Sequence, residues 1–189
     1  MLLGCRRKYL PIVPNQASSD LAIFRIYTAS LRLVSFFSNL PHALSRLPHL
    51  LWANRQRSVQ VDLGKVRDIV QAALPLCVKK PRKPGMVLPS EVEITLLGEA
   101  AIAKVHGEFL EDPTPTDVIT FEHGEILIGV PIAAANARRF RHPVFHEVAL
   151  CAIHGLLHLL GYDDLTEKER VIMHARQEEI LKAAVKALC

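Results

Sequence analysis

Apolar residues recur at helical spacing from Val61 to Leu74, and Asp62 stands where an N-cap carboxylate would accept from the first free amides. Val92 to Leu97 alternates as a strand does, and Glu99 to Phe109 returns to the helical period. Val118–Phe121 and Ile126–Val130 are short β-rich runs, and a helix from Pro131 to Phe140 follows. Pro143 suits the first turn of a long apolar helix reaching about Leu160. Thr166 with Glu169 forms a capping box for a last amphipathic helix through Ala184. The pattern predicts an α+β fold, a small mixed β-sheet packed against helices. Between the first helix and the first strand, Lys79-Lys80-Pro81-Arg82-Lys83-Pro84-Gly85 reads as a solvated basic loop.

Charge divides the chain unevenly. Met1 to Ala53 holds six basic residues (Arg6, Arg7, Lys8, Arg25, Arg32, Arg46) against one acid, Asp20. The remaining 136 residues carry 17 basic and 18 acidic groups, so the net charge of +4 does not make the main domain a polycation. Nucleic acid, if bound, must be held by local patches. Residues 1–52 are expected to be a basic extension, non-native or poorly ordered, and residues 53–189 the functional domain. Arg25 and Arg32 interrupt the apolar stretch from Leu21 to Leu40, which excludes a spanning helix; no membrane partner is expected, and the alternative to a non-native extension is an organelle-targeting or surface-binding amphipathic stretch. Cys5, Cys77, Cys151 and Cys189 are widely spaced and read as free thiols of a reducing, cytoplasmic compartment.

The long helix carries the chemistry. His154 and His158 stand four residues apart, on one helical face, where both imidazoles reach a single ion. Gly161 can end the helix in a left-handed cap and turn the chain back, which puts Asp164 in place as third ligand. Asp163 is the competing carboxylate. Three protein donors with a fourth position open describe a catalytic zinc site. Cys151, three residues before His154, reads as a small buried hydrophobe and not a ligand. His142 and His146 precede His154 by twelve and eight residues, near the helical period; His146 is a candidate to orient water or bind phosphate.

The string His154-Gly155-Leu156-Leu157-His158-Leu159-Leu160-Gly161-Tyr162-Asp163-Asp164 partly resembles the zinc metalloproteases of the metzincin type. Their general-base Glu, however, is replaced by Gly155. It more closely resembles the signature of the YbeY family of rRNA-maturation endoribonucleases, His-Gly-x-x-His-Leu-x-Gly-Tyr-Asp-His. Pro115-Thr116-Asp117-Val118-Ile119-Thr120-Phe121 and Gly124-Glu125-Ile126-Leu127-Ile128-Gly129 are similar to that family's strand motifs, and Asn54-Arg55-Gln56-Arg57 to its opening.

The resemblance implies a zinc-dependent, single-strand-specific endoribonuclease acting on small-subunit ribosomal RNA, in 3′-end maturation and ribosome quality control. Its implied partners are ribosomal RNA and the small ribosomal subunit. Two positions depart from the family. Asp164 replaces the third His, which makes zinc a weaker Lewis acid and its identity less fixed. Leu110 falls where the family has an Arg that assists catalysis. A zinc-containing assembly factor that cuts nothing is therefore the alternative, with a metalloprotease-like hydrolase behind it. Asp117 is expected to hydrogen-bond a ligating imidazole from outside, as carboxylates commonly do. Arg138, Arg139 and Arg141, with Phe140 among them, are the expected RNA contacts.

Overall fold

The computed structural model of the chain describes residues 47–189. The expectations for residues 1–46, among them Cys5 and the apolar stretch 21–40, lie outside the described residues. In chain order the elements are β1 (His49–Asn54), α1 (Leu63–Val78), β2 (Glu91–Leu97), α2 (Glu99–Leu110), β3 (Val118–Phe121), β4 (Glu125–Gly129), α3 (Val130–Phe140), α4 (Val144–Leu159) and α5 (Glu167–Ala187). Among the described residues no helix is long and apolar enough to cross a membrane.

The four strands form one sheet in the order β1-β2-β4-β3. β1, β2 and β4 run parallel, and β3 closes the far edge antiparallel to β4. Period-two alternation then divides the side chains between two layers. Val92, Ile94, Leu96, Val118, Ile126 and Ile128 face the main core with α1, α4 and α5. Leu97, Ile119, Phe121 and Leu127 face a smaller cluster built on Ile102 of α2. The expected α+β architecture is the one observed.

Two differences from the sequence pattern have physical causes. β1 crosses the boundary expected between Trp52 and Ala53, so the folded unit begins no later than Leu47. Its apolar run is short and its partner lies some forty residues on, from His49 opposite Glu91 to Asn54 opposite Leu96. Periodicity within β1 alone could not reveal that pairing. α1 also continues past Leu74 through Pro75, because Leu74 and Cys77 are both fully buried and hold its last turn against the core.

α4 is the spine. Every residue from Glu147 to Leu159 is buried, as expected of a helix that is apolar on all sides. It reaches close to the sheet through Gly155. A Cβ there would stand 2.8 Å from Ile126 Cδ1 and Cγ2 of β4, so any side chain at this position would have to displace Ile126.

Candidate metal centre

His154 and His158 project from the last turns of α4, their rings 4.6 Å apart and nearly perpendicular. The helix then stops in a Schellman turn. Gly161 N–H donates to His158 O at 2.8 Å and Tyr162 N–H to Leu157 O at 3.1 Å. Gly161 adopts φ +84°, a left-handed value that favours glycine. Asp163 organises the next residues, its Oδ1 accepting from the Asp164 and Leu165 amides at 2.7 and 3.2 Å. Arg170 of α5 donates to Asp164 O at 3.1 Å. Thr166 then caps α5, its hydroxyl accepting from Glu169 N–H at 3.2 Å.

This turn returns Asp164 to the histidines. Donor atoms of His154, His158 and Asp164 all lie within 4.8 Å of one another, and all three residues are buried. His158 Nε2 stands 3.8 Å from Asp164 Oδ1. Two donors 2.0–2.1 Å from a tetrahedral ion are roughly 3.4 Å apart, so small shifts suffice to close on one. His158 Nε2 and both Asp164 carboxylate oxygens are buried without a hydrogen-bond partner. Such groups carry a desolvation penalty that a cation removes. The residues present fit a zinc ion.

The other ring nitrogens are engaged. His154 Nδ1 meets Gln177 Oε1 of α5 at 2.7 Å, and His158 Nδ1 donates to Tyr162 O at 3.1 Å. With Nδ1 engaged on each ring, Nε2 is the atom each histidine could offer to a metal. Burial pushes the His158 imidazole below its ordinary pKa, opposed by the Tyr162 carbonyl and Asp163. Burial, and after it the charge of Asp163, pushes the Asp164 carboxyl up to about 6.

The structure places the other expected residues elsewhere. At Nδ1 the partners of His154 and His158 are Gln177 and the Tyr162 carbonyl, where Asp117 had been the expected carboxylate. Asp117 instead accepts from Asn136 Nδ2 at 3.1 Å and lies in a second buried group with Glu147 and Cys151. Gln177 escaped the sequence reading because it comes from another helix, 23 residues beyond His154, with no motif to flag it. Cys151 is buried as expected. His146 lies eight residues before His154, about 12 Å along the helix. It lines a cavity of about 340 Å³ with His142, Leu150, Leu181, Lys182 and Lys186, none of them a metal ligand. Arg138, Arg139 and Arg141 are exposed at the opposite end of α4 from the histidines. Arg139 lies over the Phe140 ring at 5.8 Å, and Phe140 stacks on His142 at 6.3 Å. Leu110 packs against the α2 cluster of Ile102 and Phe121.

Comparison with known proteins follows the same outline. Residues 51–185 match the family model described as endoribonuclease YbeY. Endoribonuclease YbeY of Carboxydothermus hydrogenoformans is 32% identical over 139 residues, covering 69% of this chain and 93% of the relative. That of Chlamydia muridarum is 31% identical over 147 residues, covering 71% and 86%. The solution structure of a Thermotoga maritima protein superposes with a TM-score of 0.52 at 26% identity, covering 74% of this chain and 91% of that one.

Proposed function

The chain belongs to the YbeY family of endoribonucleases, and from that premise we propose that it is a zinc-dependent, single-strand-specific ribonuclease of small-subunit ribosomal RNA 3′-end maturation and ribosome quality control. It would act in the cytoplasm, with ribosomal RNA and the small ribosomal subunit as partners. The observation that supports metal chemistry is the convergence of His158 Nε2 and the Asp164 oxygens, buried and without a hydrogen-bond partner.

His154, His158 and Asp164 would hold the ion. When bound, zinc supplies Lewis acidity toward a phosphodiester and toward a water at its open position. Gln177 and the Tyr162 carbonyl keep both rings in the tautomer that offers Nε2. The Schellman turn brings the Asp164 carboxylate back toward the two histidines as an oxygen donor. Gly155 faces Ile126 of the sheet, which leaves no space at that position for the Glu base of a metzincin. The protease reading is accordingly the weakest.

A structural zinc in an assembly factor is the second reading, favoured by the full burial of all three ligands and by Leu110. Structural zinc sites, however, use four protein ligands, and among the described residues three converge here. The test is incubation of metal-analysed protein with single-stranded RNA, double-stranded RNA and casein, beside His158→Ala. Metal-dependent cleavage of single-stranded RNA alone, lost in the variant, is the expected result. Metal-loaded protein that cleaves nothing would favour the assembly factor.

A further inference from the structure

The basic loop between α1 and β2 has no address in the sequence, and the structure gives it one beside the metal-binding turn. Three ties join them. Tyr162 Oη donates to Lys80 O at 2.9 Å, and Arg82 N–H donates to Leu160 O at 2.9 Å. Met86 Sδ and the methylenes of Lys83 pack over Gly161, where a Cβ would meet Met86 Sδ and stand 3.3 Å from Lys83 Cγ. From α5, Arg176 donates to Leu76 O at 2.7 Å and so fixes the end of α1 from which the loop departs.

The loop thus crosses Leu160, Gly161 and Tyr162, immediately before Asp164. It carries Lys79, Lys80, Arg82 and Lys83, all exposed. No acid occurs between Asp68 and Glu91. Glu179 of α5 is the carboxylate that feels Lys80, and Arg176 holds it at 2.8 Å.

A polyanion approaching this centre meets Asp163, Glu167 and Glu169 along the same turn, on a domain whose total charge is near zero. Electrostatic attraction must therefore be local. The Arg138–Arg141 cluster is separated from His158 by the length of α4, about 20 Å at 1.5 Å per residue. The loop is the cationic surface already bonded to the metal turn, and its backbone ties hold the main chain in place, so that only the side chains have to be ordered on binding.

We infer that Lys79, Lys80, Arg82 and Lys83 form a docking strap for the phosphates of single-stranded RNA and set the strand across the metal centre. The strap grips phosphate, so it positions the strand without reading its bases. The inference rests on the RNA-cleaving reading and names how that substrate is held.

The experiment uses the zinc-loaded full chain and a fluorescent 2′-O-methyl single strand of twelve nucleotides, whose integrity after each titration is checked on a denaturing gel. Replacing Lys79, Lys80, Arg82 and Lys83 together by Gln should weaken binding at least tenfold. It should also flatten the dependence of log affinity on log salt by about 0.7 for each phosphate no longer neutralised. The charge-keeping changes Lys79→Arg, Lys80→Arg and Lys83→Arg should retain both. A matched triple change of Arg138, Arg139 and Arg141 to Gln should alter the slope less. Unchanged affinity and slope in the strap variant, with metal content intact, would overturn the strap while leaving the ribonuclease reading standing. Equal loss in the Arg-substituted variant would show that the loop acts by its fold and not its charge, which also overturns it. If the unmodified protein binds no RNA at any salt, the ribonuclease reading falls as well.

Discussion

Asp163 and Asp164 are neighbours in sequence with different surroundings: Asp163 accepts two backbone amides, while both Asp164 oxygens lie buried beside His158 without a hydrogen-bond partner. Replacing Asp164 by Ala should weaken zinc binding by 10–100-fold or more, since even losses outside the ligand set reach that range. Asp163→Ala should instead lower stability by about 1 kcal/mol, as loss of a cap does, with metal stoichiometry kept. Competitive chelator titration and denaturant unfolding separate the two, and Asp164→His should still bind zinc. The Asp164 carboxyl also sets a pH dependence. Its pKa is raised in the fold from 3.8 to about 6, so the neutral form is favoured there. In the metal-free protein this contribution is fully present below about pH 4 and is lost as pH rises through about 6. Zinc needs the anion, so its affinity should rise over that same interval. Unfolding of chelated protein against Asp164→Asn, at pH 4.5 and 7, should show the variant gaining on the native chain at the higher pH. The grouping of His154, His158 and Asp164 was legible in sequence because its spacing is local to one helix end. Gln177 and the bond from Asn136 to Asp117 were not, because both depend on how separate elements meet.

At the scale of elements, two glycines fix how α4 is seated. Gly155→Ala should cost roughly 1–3 kcal/mol, the range for overpacking, because Ile126 has to move. Gly161→Ala combines a left-handed backbone with collision against Met86 and should cost at least about 1–2 kcal/mol. Gly155→Glu should fail to fold stably and acquire no proteolysis, a result readable from thermal melts and a casein assay. β1 supplies a further prediction. Cutting the chain after Leu51 removes the pairings of His49, Leu50 and Leu51 with Glu91, Val92 and Glu93. That truncation should unfold at lower denaturant than one cut after Arg46, which leaves β1 entire. The helices were visible in advance because apolar spacing is local to each, and two of them carry their own N-caps: Asp62 and Thr166 both accept from the third residue beyond them. β1 was not, because a parallel edge strand is defined by a partner remote in sequence.

On the scale of the whole molecule, the ion would link the end of α4 to the turn that begins α5, and Gln177 reaches back to the same site. Metal that binds only the folded chain stabilises it by about 2.7 kcal/mol at one hundred times its dissociation constant. Chelation should lower the melting temperature by roughly 5–10 °C, as expected for a domain of this size. The shift should vanish in His154→Ala and His158→Ala, and scanning calorimetry at two zinc concentrations checks it. The α+β class was readable from the succession of periods. The position of the basic loop was not, since nothing in Lys79–Gly85 announces the tyrosine hydroxyl eighty-two residues away that binds it.

The unbroken burial of α4 from Glu147 to Leu159 has a kinetic corollary. Amides in so enclosed a helix exchange with solvent chiefly when the whole domain opens, whereas an irregular turn can open by itself. Two of the ligands therefore belong to the slowest-exchanging part of the protein and the third to a faster one. An ion leaving this site would be released first by its carboxylate, and its residence time would follow the opening rate of the turn from Leu160 to Thr166.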